Sequence, residues 1–142
     1  MLRFIEEFVA RGHPNIIATH PTTLEITKDL SLTKTGDCII AVEASKGLIE
    51  LSRDFRKACV NDESRITVEL NVSGVVERIA GTGSHLLTLT DERDLVVRKS
   101  TYVSNRTLMI NADRAASDLP REFVQGLNSP SSTIHIRLTV YV

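Results

Sequence analysis

Aromatic side chains make up only 4% of this 142-residue chain, and tryptophan is absent. That scarcity argues against the stacking platforms of RNA-recognition modules, and no ribonucleoprotein-type aromatic motif is present. Cysteine is as sparse: there are two. They do not read as a disulfide pair. Cys38 sits in the apolar run Cys38-Ile39-Ile40-Ala41-Val42 and Cys59 closes a helical pattern, so both read as small buried hydrophobes. A catalytic Cys38 near Asp37 and His20 is the minor reading. No excess of either charge exists: 17 Lys and Arg face 18 Asp and Glu, a formal net charge of −1. Nothing global therefore draws the chain to nucleic acid or to a membrane. No apolar run approaches the roughly 20 residues that span a bilayer. Met1-Leu2-Arg3-Phe4-Ile5-Glu6-Glu7 carries acids where a signal peptide has its apolar segment, which predicts a cytoplasmic protein. No internal repeat, linker or low-complexity tract is visible.

The chain is long enough to bury a core, and residues 1–142 read as a single domain. Residues 2–11 are read as a strand leading to a turn at Gly12. Leu24 and Ile26 alternate with Thr23, Glu25 and Thr27, as in a half-buried strand. Residues 38–42 form a short apolar strand. Residues 47–59 give the clearest helix, with Leu48, Leu51, Phe55 and Ala58 on one face. Arg65–Val72 alternates strictly, and Ser73-Gly74 turns it into a second strand at Val75–Ala80. A turn at Gly81–Ser84 precedes strands near 86–90, 94–100 and 106–110. Ala112–Leu119 and Pro120–Leu127 read as two short helical pieces. A long alternating strand, Thr133–Val142, ends the pattern. Many strands with two or three short helices make an α+β fold: a bent antiparallel or mixed sheet, barrel-like, with helices on one side. The predicted core is Leu24, Ile26, Ile39, Ile40, Val42, Leu51, Phe55, Val68, Leu70, Leu89, Ile110, Phe123, Ile136 and Leu138.

Chemistry-bearing residues concentrate in Gly12–Lys28. This window holds two histidines, a carboxylate and several hydroxyl and amide side chains, a density that costs stability unless each group is solvated or paired. His13, His20 and Glu25, with Asp37, are the candidate general acids and bases. A divalent metal is possible chemistry here: zinc on His13 and His20 would need a third ligand from Glu25, Asp37, Cys38 or His85. Residues 95–112 contain Arg98, Lys99 and Arg106 and no acid. With Thr22, Thr23 and Ser100 these are the candidate phosphate- or substrate-binding groups. Gly81-Thr82-Gly83-Ser84-His85 is only a loose match to a phosphate loop, lacking its lysine and its helix.

An ordered series of motifs runs through the chain: Gly12-His13-x-Asn15, Ala18-x-His20-x-Thr22-Thr23-x-Glu25-Ile26-Thr27, Gly36-Asp37-Cys38-Ile39, Arg98-Lys99-Ser100, Arg106-Thr107-Leu108 and Ala112-Asp113-x-Ala115-Ala116. The series resembles the mainly archaeal "domain of unknown function 371" family over nearly the whole length. The resemblance implies a small, single-domain archaeal protein. It also implies an association with nucleic-acid processing, including an endonuclease label, and it assigns no reaction. Three functions follow. The first is a nucleic-acid-acting protein, an endonuclease on RNA or single-stranded DNA, with Arg98, Lys99 and Arg106 on phosphates. The second is an enzyme or binding protein for a small phosphorylated or carboxylated metabolite, using the same residues. The third is an assembly module, a homo-oligomer paired through Thr133–Val142 as an edge strand.

Overall fold

The computed structural model describes residues 2–142. It contains eight strands: β1 (Arg3–Arg11), β2 (Thr23–Thr27), β3 (Ile39–Ala41), β4 (Arg65–Val72), β5 (Val75–Thr82), β6 (Asp94–Arg98), β7 (Thr107–Met109) and β8 (Thr133–Tyr141). Two short helices accompany them, α1 (Arg53–Cys59) and α2 (Arg121–Leu127), each preceded by one 3₁₀ turn. The strands form two four-stranded sheets, ordered β1-β8-β4-β5 and β3-β2-β6-β7. Single antiparallel bridges, Arg11–Val42 and Thr82–Ile110, link the sheets at two corners. The ladder is not continuous there, so the α+β fold has two sheets and not a closed barrel.

Period-two alternation explains the long strands. Ile66, Val68, Leu70 and Val72 of β4 point into one buried cluster, together with Ile134, Ile136, Leu138 and Val140 of β8. Ser73 and Gly74 both hold positive φ, 52° and 88°, as a tight two-residue hairpin requires. Asn71 Oδ1 accepts from the Gly74 amide at 2.9 Å and secures it.

Several expected elements differ from those observed. The helix read over 47–59 breaks at Leu51-Ser52, where the backbone is extended, although Leu48, Leu51, Phe55 and Ala58 are still all buried. Ser52 Oγ then caps α1 by accepting from the Phe55 amide. Of Ala112–Leu119 only Ala116–Asp118 is helical, as one 3₁₀ turn. Gly81 and Thr82 lie inside β5 and are not a turn. No strand forms at 86–90: Leu89 has φ 53° and the Leu87 amide closes a turn onto the Ser84 carbonyl. β2 is buried on both faces and not half-solvated. The predicted core is buried except for Ile39 and Ile110, which are partly exposed. The C-terminal strand is no edge. β8 pairs with β1 on one side and β4 on the other, so its backbone groups are already used.

The fold also contains a repeat invisible in the sequence. The order strand, strand, short strand, 3₁₀ turn, helix, strand runs through residues 3–72 and again through 75–141. Local detail follows the same duplication. Positive φ recurs at Ala18 and Leu89 and at Glu43 and Asn111. The Lys28–Glu50 ion pair matches Lys99–Asp118. The halves interlock. The Gly12 amide bonds the Ser132 carbonyl and the His13 amide that of Leu127; the Gly83 amide bonds Ser64 and the Ser84 amide Cys59. A Cβ on Gly12 would sit 2.3 Å from the Leu127 carbonyl oxygen, and one on Gly83 2.1 Å from Ser64 Oγ. These glycines serve close packing, so the Gly81–His85 segment needs no ligand to explain it.

Candidate functional site

The central strands of the second sheet, β2 and β6, pair Thr23 with Arg98, Glu25 with Val96 and Thr27 with Asp94. Alternation sends Leu24, Ile26, Leu95 and Val97 into the core. The other six therefore share the opposite face. Cys38 and Arg106 flank that face at equivalent places in the two halves. The Cys38 carbonyl accepts from the Glu25 amide and the Arg106 carbonyl from the Val96 amide, each at 2.8 Å.

Glu25 lies at the centre, its side chain only 10% exposed. Arg106 Nη1 is 3.4 Å from Glu25 Oε1 and 3.0 Å from Asp94 Oδ2. Thr27 Oγ1 donates to Asp94 Oδ1 at 2.7 Å. Burial raises the Glu25 carboxyl from 4.5 to about 7, and the Asp94 charge pushes the same way. The Arg106 and Arg98 charges oppose that shift and lose, because Arg106 is closer to Asp94 than to Glu25. Glu25 thus exchanges its proton near neutral pH.

Arg98 is held differently. Its Nε donates to Thr107 Oγ1 at 2.9 Å and its Nη2 to Ser104 Oγ at 3.2 Å. The guanidinium carbon stands 4.9 Å from the centroid of the Tyr102 ring. Among the described residues it makes no ion pair. Partial burial and the neighbouring Arg106 charge hold its pKa below the ordinary arginine value. Two cations thus face one another, and only one has carboxylate partners. The same burial, with the Glu25 charge, pushes the Cys38 thiol above its usual range.

The sequence candidates divide between this face and its margins. Glu25, Thr23, Arg98 and Arg106 meet on it. His20 stands at the entry to β2, where Nδ1 accepts from the Thr22 and Thr23 amides at 3.2 and 3.1 Å. Asp91 Oδ2 does the same for the Arg93 and Asp94 amides in the second half, so His20 has a turn-capping role by equivalence. The Thr22 carbonyl accepts from the Lys99 amide. The Lys99 ammonium pairs with Asp118 at 2.7 Å. Ser100 Oγ accepts from the Tyr102 amide at 3.3 Å. The Asp37 carbonyl accepts from the Thr19 and His20 amides. His13 is bonded elsewhere: its Nδ1 accepts from the Asn15 amide and its own amide bonds the end of α2. Among the described residues no group of three His, Cys, Asp or Glu side chains is placed to hold a metal ion. Asp94 and Thr107 were absent from the sequence candidates, because only the β2–β6 and β6–β7 pairings bring them here. An open hollow of about 480 Å³ is bounded by Thr90, Asp91, Glu92, Arg93 and Asn105.

No helix among the described residues is long and apolar enough to cross a membrane. The model of a family described as a domain of unknown function, number 371, matches residues 8–141. An uncharacterized protein of Methanocaldococcus jannaschii is 45% identical over 130 residues, covering 90% of this chain and 96% of that one.

Proposed function

The chain belongs to the domain of unknown function 371 family, and we propose that it binds a small phosphorylated or carboxylated metabolite on the β2–β6 face. Arg98 carries this reading. It is a partly buried guanidinium fixed by two hydroxyls, beside a second arginine and without a carboxylate of its own. An oxyanion there supplies the missing countercharge and accepts the remaining guanidinium N–H groups. Glu25 adds a proton that can be given or taken near neutral pH, which suits general acid–base work on the bound anion. The phosphodiester reading has less support from this geometry, because Lys99 and Arg106 are already paired with Asp118 and Asp94.

The test is calorimetric titration with inorganic phosphate and with succinate. Wild type and Arg98→Lys should bind at least one of them, and Arg98→Met neither, with circular dichroism unchanged. Equal binding by Arg98→Met would sink the assignment. So would failure of both probes alongside capture of a single-stranded oligonucleotide. In that case three phosphate contacts should show a salt slope of about −2, and the nucleic-acid reading replaces this one.

A further inference from the structure

Tyr102 is out of keeping with the other aromatics. Phe8, Phe55 and Phe123 are buried, and Phe4 and Tyr141 are partly so. Tyr102 alone of the six is largely open, at 62% exposure. It is nonetheless positioned: its amide bonds Ser100 Oγ and one face of its ring carries the Arg98 guanidinium. Ser100, Thr101 and Asn105 of the same segment are exposed as well, and Ser104 is half-buried. An aromatic ring held in place against a cation, beside an anion site, is a stacking surface for a flat ligand group.

We propose that the anion taken at Arg98 is the phosphate of a nucleoside monophosphate, and that its base stacks on the Tyr102 ring. This rests on the anion reading above and deepens it to a substrate class. Arg98 then serves twice. Its edge holds the phosphate, and its plane holds Tyr102 in the orientation the base needs. A base on the far face of the ring lies two layers from the guanidinium, which the sugar of one nucleotide spans. The exposed hydroxyl and amide side chains of the same segment are of the kind that bond ribose and base edges. A single stacking ring accommodates one base, so the ligand is a mononucleotide and not a strand.

Calorimetry with inorganic phosphate, ribose 5-phosphate, AMP and UMP separates the parts. Stacking of one base should make AMP bind about tenfold or more tightly than ribose 5-phosphate. Tyr102→Leu should erase that gain, so that AMP and ribose 5-phosphate bind alike, whereas Tyr102→Phe should keep it. Equal affinity of wild type for AMP and ribose 5-phosphate overturns the nucleotide assignment while the anion site stands. Unchanged AMP binding by Tyr102→Leu overturns the stacking role. If no phosphate-bearing probe binds, the nucleotide assignment falls; if succinate fails as well, the anion reading falls with it. Because Tyr102 is exposed, loss of fold is not expected, and circular dichroism of each variant verifies it.

Discussion

Replacing Glu25 with glutamine gives a direct reading of the charge buried in this face. The folded carboxyl titrates near 7, against 4.5 as its ordinary value. Below 4.5 both folded and unfolded chains hold the proton, and the contribution to stability is complete. Between 4.5 and 7 the unfolded chain ionises while the folded one keeps its proton. Above 7 the folded protein carries a poorly solvated charge and the contribution is gone. With 1.36 kcal/mol per pKa unit, this single group should make wild type about 2–3 kcal/mol less stable at about pH 8.5 than at about pH 5. Glutamine has no such transition. The stability difference between the Glu25→Gln variant and wild type should therefore move by that amount in favour of glutamine as pH rises. Other ionisable groups are common to both proteins and cancel in the comparison. Urea denaturation in phosphate-free buffer at the two pH values measures it. A difference that stays constant within about 0.5 kcal/mol would refute the view that desolvation, more than pairing with Arg106, governs Glu25.

Three further outcomes follow from the packing. Gly83→Ala should destabilise by roughly 1–3 kcal/mol, since the new methyl would overlap Ser64 Oγ and the Cys59 carbonyl oxygen; urea denaturation reads the loss. His20→Asn should hold stability near wild type, as Asp91 shows that a short side chain caps the equivalent turn, while His20→Ala should lose about 1 kcal/mol in the same assay. Lys99→Ala should cost under about 1 kcal/mol, because its ion pair with Asp118 is more than a third exposed; a larger loss in thermal melting would contradict this.

The alternating strands were legible because period two leaves a direct record: β4 and β8 read correctly from Ile66 to Val72 and from Ile134 to Val140. The segment around Leu86–Thr90 was misread because Leu87 and Leu89 are buried by a turn whose backbone angles no residue type announced. Leu48–Ala58 kept a helical spacing across two separate pieces, so burial was readable and the break at Leu51-Ser52 was not. At the site, Glu25, Arg98 and Arg106 were visible as residue types. Asp94 was not, since its meeting with Thr27 and Arg106 depends on β2–β6 register. The repeat is hard to see in the sequence because few matching positions beyond Gly12 and Gly83 or Lys28 and Lys99 share a residue type: a histidine in one half does the work of an aspartate in the other.

Leu2 and Val142 exchange two backbone hydrogen bonds of 2.9 Å, amide to carbonyl in each direction. In the duplicated plan the β8–β1 pairing corresponds to the β4–β5 hairpin at Val72–Val75. The pairings themselves are therefore the same at the two junctions. A circular permutant opened between Ser73 and Gly74, with a short glycine-rich link across Leu2 and Val142, would pass through the same strands and keep every pairing. The shared sheets make the complementary point: β1 needs β8 and β4 needs β5, each drawn from the other half. Cutting at the same place yields two fragments with incomplete sheets, which regain the native arrangement only by recombining.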